Sequence, residues 1–230
     1  MSLPQWRVFA DAQTLVTQLA DALCEAAEDA IRERGKFHLV LAGGRTPQAL
    51  YCELAKRQVG SAHWYIWYGD ERCLPVDDPE RNSQMAERAW LEGSAIPLLQ
   101  RRAIPAEQGP VASAQQYQTW LEHVGDFDLS LLGMGEDGHT ASLFPGQVWD
   151  GADVLAVHDA PKPPPARVSL SAGRLSRSRQ VWFIVTGNGK REALARWQSG
   201  ERLPVASIKG RMETVVWLEQ DSYPLEGAGD

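Results

Sequence analysis

Among the residues able to do chemistry, His139 stands in the most telling place. It lies in LLGMGEDGHTASLFP (131–145), directly behind the apolar run FDLSLL. A histidine at the end of a buried strand can be neutral near pH 7 and take a proton from water. Asp137, two residues earlier, is near enough to orient that ring or to meet a substrate itself. The stretch also contains Gly-x-Gly-x-x-Gly at Gly133, Gly135 and Gly138. Such glycines mark a dinucleotide-binding turn when a helix follows and an acid stands about 20 residues on. Asp159 has roughly that spacing. The variable positions, however, are Glu136 and Asp137, which would set carboxylates beside a pyrophosphate. The nucleotide is therefore disfavoured. What remains is a helix N-terminus capped by Asp137, or a turn that presents His139 for catalysis.

Cations for an anionic ligand occur at other strand ends. GGRTP (43–47) opens a helix, so the backbone N–H groups of Gly43 and Gly44 and the Thr46 hydroxyl suit a phosphate. An ordinary glycine turn with a threonine cap is the plainer alternative. TGNGK (186–190) repeats the geometry and places Lys190 on the first turn of the next helix, where a solvated lysine is also common. Arg167 follows the proline-stiffened APKPPPAR, and a guanidinium suits phosphate oxygens. GDERCLP (69–75) adds Asp70, Glu71 and Arg72, either a solvated turn or one wall of a polar pocket. Of these, Arg72 is placed to bind an anion or steady a developing oxyanion. Arg45 reads equally well as solvent-facing, and Cys73 as a passive thiol.

These residues need a frame. Residues 11–34 carry apolar side chains at helical spacing and end at Gly35. HLVLA (38–42) reads as a buried strand, and Thr46-Pro47 as an N-cap with proline at the first helical position, the helix running on through residue 56. Further strands are expected at 64–69, 127–133, 154–159, 168–171, 181–187 and 214–220. Helices are expected at 85–92, 113–124 and 190–198. Strands and helices alternate, and several strands are apolar on both faces. That pattern predicts a three-layer α/β/α arrangement, a mainly parallel, Rossmann-like sheet with helices on both faces. The nine tryptophans fall mostly on these elements and read as core.

A length of 230 residues suits one domain spanning 1–230, with a short polar tail at about 221–230. The net charge of −7 argues against nucleic-acid partners, while leaving room for a small anion held by a few converging cations. No apolar run approaches the ~20 residues of a membrane span, and no secretory signal is visible. Three cysteines without metal spacing point to a cytoplasmic setting, and a monomer or small homo-oligomer is expected.

Taken together, LAGGRTP, YGDERCLP with Asn82 shortly after, LLGMGEDGHTASLFP, PPPARVSLS, FIVTGNGKREAL and LPVASI resemble the 6-phosphogluconolactonase family, in its short bacterial type related to glucosamine-6-phosphate deaminase. The match runs in order from about residue 39 to about 218. The resemblance implies hydrolysis of 6-phosphoglucono-δ-lactone in the oxidative pentose phosphate pathway; an ester of this kind hydrolyses slowly unaided, so no metal and no organic cofactor is expected. The resemblance also implies His139 as general base, Asp70 and Arg72 lining the pocket, and phosphate held by Gly44, Thr46, Arg167 and Lys190. The related deaminases carry a glutamate just before the final proline of the histidine loop, where this chain has Phe144. That disfavours a phosphosugar isomerase or deaminase. A non-catalytic phosphosugar sensor would be expected to lack the base. Two small departures from the family pattern are Arg45 and Arg81.

Overall fold

The computed structural model describes residues 3–223. Short apolar runs become strands: β1 (Gln5–Phe9), β2 (Phe37–Leu41), β3 (Trp64–Tyr68), β4 (Asp70–Arg72), β5 (Phe127–Gly133), β6 (Val154–Val157), β7 (Arg167–Leu170), β8 (Ser178–Val185) and β9 (Glu213–Glu219). Six form one sheet in the order β1-β9-β8-β5-β2-β3, and every neighbouring pair in it is parallel. All five residues of β2 are buried, so both faces of the sheet are covered. The helices around it are α1 (Ala12–Arg34), α2 (Arg45–Lys56), α3 (Asn82–Ala89), α4 (Pro110–Leu121), α5 (Ala172–Ser176), α6 (Arg191–Gln198) and α7 (Pro204–Ser207). This is the parallel α/β architecture expected from the alternating pattern. Among the described residues no helix is long and apolar enough to cross a membrane.

Local chemistry sets the boundaries. Asp11 caps α1 by accepting from the Thr14 N–H at 2.7 Å, and Gly35, at φ +74°, ends it. At α2 the expectation needs correction. The N-cap is Gly44, not Thr46, because the chain enters the helix at φ +108°, a conformation that favours glycine. Thr46 lies within the first turn, and its hydroxyl bonds the Thr186 hydroxyl at 2.6 Å. Lys190 belongs to a short 3-10 turn, Asn188–Lys190, that precedes α6.

Two strands were not predicted. β1 is an edge strand whose inward residues are few, with Phe9 stacked on Trp217 and Trp6 edge-on to Trp197. β4 falls inside the charged segment read as a polar loop. It pairs antiparallel with β7, which pairs with β6, making a second, three-stranded sheet. Its side chains are charged because Asp70 and Arg72 line the site, while buried Glu71 accepts the N–H groups at the start of α3. The apolar residues of β6 and β7 other than Val157, which clusters with Phe144 and Ala160, nevertheless join the main hydrophobic core, as do Trp64, Trp67, Trp90, Trp182, Trp197 and Trp217.

The order of the large sheet has a functional consequence. From β2 the chain steps to the edge strand β3 and then returns to the other side of β2 as β5. The loops leaving β2 and β5 therefore diverge, and open α/β sheets bind ligands at such a switch point.

Candidate active site

A cavity of about 320 Å³ opens there, lined by the carboxyl-end loops of β2, β3 and β5 together with Lys162, Pro163, Arg167 and Lys190. His139 comes from the loop after β5. No helix follows that loop; the next regular element is β6, at Val154. Both the dinucleotide turn and the helix capped by Asp137 are thereby overturned.

Two of the loop's glycines, Gly135 and Gly138, are required by their surroundings. The Gly135 N–H donates to the His139 carbonyl at 2.8 Å and closes a tight turn. A Cβ on Gly135 would overlap the His139 imidazole and crowd the Asp137 carboxylate. Gly138 sits at φ +83° against the Leu203 side chain. Further stiffness comes from the Thr140 hydroxyl, which donates to the Gly133 carbonyl at 2.7 Å.

The turn presses the imidazole against Asp137. His139 Nδ1 lies 2.5 Å from Asp137 Oδ1, which also accepts the His139 backbone N–H at 3.1 Å. Burial alone would raise the Asp137 carboxyl, but these hydrogen bonds outweigh it and hold it below the usual carboxylate range. An ionised carboxylate only accepts, so Nδ1 carries the proton and Nε2 keeps its lone pair. Burial also depresses the imidazole below its usual 6.5, against the opposing field of Asp137. The ring is therefore neutral and basic at Nε2 near pH 7. Phe144, 1% exposed, packs on the imidazole with ring centroids 4.7 Å apart and lies 5.7 Å beneath the Arg167 guanidinium.

The acidic wall is braced. Asp70 Oδ2 accepts from the Ser142 hydroxyl at 2.6 Å, and Oδ1 accepts from the Asn82 amide at 3.0 Å. Glu71, fully buried, takes no part in the cavity lining. Its carboxylate accepts the N–H groups of Asn82 and Ser83 at 2.7 and 2.8 Å, capping α3, and pairs with buried Arg81. Arg72 donates to the Glu80 carbonyl through Nη1, and its buried Nε has no hydrogen-bond partner among the described residues. Burial pushes the Cys73 thiol up to about 11.

The structure thus brings together Asp70, Arg72, His139, Arg167, Lys190, Gly43 and Gly44 around one cavity. Asp137 stands behind His139, outside the lining, and Thr46 also lies outside it. A family model described as glucosamine-6-phosphate isomerases/6-phosphogluconolactonase matches residues 10–217. The chain belongs to that family. A 6-phosphogluconolactonase of Streptomyces coelicolor is 37% identical, the alignment covering 94% of this chain and 91% of that protein. The corresponding protein of Mycobacterium tuberculosis is 35% identical over 94% and 95% of the two chains. The crystal structure of 6-phosphogluconolactonase from Thermotoga maritima superposes with a TM-score of 0.89 at 25% identity, covering 95% of this chain and all of that one.

The family takes in both isomerases and lactonases, so the side chains in the cavity must separate their chemistries. Among the lining residues, Asn82 and Lys162 were not singled out as site residues from the sequence. Asn82 bridges Asp70 to α3 and packs so closely on Gly43 that a Cβ there would overlap its amide. Lys162 lies among prolines, where neither spacing nor an adjoining strand marks it.

Proposed function

We propose that this chain hydrolyses 6-phosphoglucono-δ-lactone to 6-phosphogluconate, in the oxidative branch of the pentose phosphate pathway, with water activated by His139. The observation that carries the mechanism is the Asp137–His139 pair, which leaves Nε2 as a neutral base on a cavity ringed by cations. Nε2 takes a proton as water adds to the lactone carbonyl. Arg72, which lines the cavity, and nearby backbone N–H groups stabilise the tetrahedral oxyanion. The bond from that carbon to the ring oxygen then breaks, and protonated His139 returns the proton to the departing oxygen. The phosphate is assigned to the backbone of Gly43 and Gly44, to Arg167 and to Lys190, all of which line the cavity. Burial lowers the proton affinity of Lys190, a cost offset when an anion sits beside it.

The competing isomerase or deaminase reading needs a glutamate where Phe144 stands. That place is apolar and buried, so the proton-transfer group has no substitute there. The test is acid release from freshly generated 6-phosphogluconolactone, with glucosamine-6-phosphate as the other substrate. Rapid acid release with no turnover of the amino sugar is expected. Turnover of glucosamine-6-phosphate alone would overturn the assignment.

A further inference from the structure

Arg167 spends most of its guanidinium on its own chain. Nε donates to the Pro164 carbonyl at 3.0 Å, and Nη2 donates to the Lys162 and Pro163 carbonyls at 2.8 and 3.2 Å. Of the five N–H donors of an arginine, only the Nη1 pair then remains for a ligand. The three acceptors are consecutive, so one side chain clamps the whole backbone from 162 to 164. Two prolines with fixed φ stiffen it further.

What the clamp presents is Lys162. Lys162 lines the cavity together with Lys190, His139, Gly43 and Gly44. Its charge also reaches both His139 and Lys190, lowering the proton affinity of each. Two ammonium groups that repel one another across a single cavity form a site for an anion, which relieves the repulsion by lying between them. A lysine on a loose loop would lose much of that gain to ordering, whereas here the backbone is fixed beforehand.

We propose that Lys162 is a specificity-determining residue, pairing with Lys190 on the substrate phosphate, and that Arg167 acts chiefly by clamping the segment that carries it. The inference rests on the lactonase reading of the same cavity. Its test is the ratio of kcat/KM for 6-phosphogluconolactone to that for unphosphorylated δ-gluconolactone, measured in folded variants.

Lys162→Met should lower that ratio about tenfold or more, through KM for the phosphorylated substrate, on the scale of one lost charge-assisted contact. Lys162→Arg should restore most of it. Arg167→Lys keeps a cation but loses the fork. It should lower the ratio comparably, and the Arg167→Lys/Lys162→Met double variant should fall little further, since both changes remove one interaction. An unchanged ratio in Lys162→Met overturns the role of Lys162, and that variant decides the matter even if Arg167→Lys fails to fold. Fully additive losses overturn the clamp. A wild-type protein that hydrolyses neither lactone overturns the functional reading itself. One that prefers the phosphorylated lactone while Lys162→Met keeps the preference overturns only this inference.

Discussion

His139 and Asp137 make the sharpest predictions because their roles separate in pH. Replacing His139 by Asn removes the base, and turnover should fall by about 10²–10⁴-fold with the fold intact. Near-normal turnover would end its assignment as base. Asp137→Asn leaves the imidazole in place but alters its charge surroundings. Burial and Lys162 hold the ring's proton affinity down, while Asp137 and Asp70 hold it up. The acid limb of kcat/KM should therefore lie below pH 6.5 in the wild type, and lower still in Asp137→Asn, with a reduced plateau. A limb that stays put or moves upward would break the pairing. Residues such as His139 and Lys190 were legible in the sequence because type and position at a strand end coincide. Lys162 and Glu71 were not. Lys162 acquires its place only through a clamp formed five residues away, and Glu71 passes for an ordinary solvated acid until α3 docks on it.

Among the elements, the long parallel strands announced themselves and the short ones did not. A strand buried on both faces, such as β2, must be apolar throughout and is visible for that reason. β4 is invisible because its residues are selected for the cavity and for capping α3, so polarity hides the pairing with β7. The loop after β5 was readable as a turn that brings His139 to the carboxyl edge of the sheet, but its closing geometry was not, since the Gly135 contact with the imidazole is a fact of three dimensions. That contact supplies a test at this scale. Gly135→Ala introduces a methyl group where the imidazole lies, so the ring must shift while the surrounding strands remain paired. Displacement of a catalytic group by an ångström costs on the order of 10²-fold in rate. The variant should fold with near wild-type thermal stability and lose turnover on that scale. Full activity would show that the turn tolerates a side chain and that the ring is not held by it.

The whole molecule sets charge against location. A chain of net charge −7 gathers Arg72, Lys162, Arg167 and Lys190 around one cavity, so the field that an anionic substrate meets there is local rather than global. Stability has its own titration, remote from that site. His38, in β2, accepts a hydrogen bond from the Trp67 indole N–H at 3.0 Å, while its backbone N–H donates to Asp128. Burial, with the nearby Lys36 charge, pushes the His38 imidazole down to about 4. In the unfolded chain the same group titrates near its usual 6.5. Between these values the unfolded state binds a proton that the folded state refuses. The stability from a neutral His38 is therefore fully present above pH 6.5 and is lost as pH falls toward 4. At about 1.4 kcal/mol per pKa unit, the loss between pH 7 and pH 4.5 is roughly 2–3 kcal/mol. His38→Gln can still accept from the indole but does not titrate, and its carboxylates and other histidines remain those of the wild type. Urea unfolding of both proteins across that range should show the wild type losing that much more stability than the variant. Parallel curves would mean that His38 takes up its proton in the folded protein, with the indole hydrogen bond surrendered.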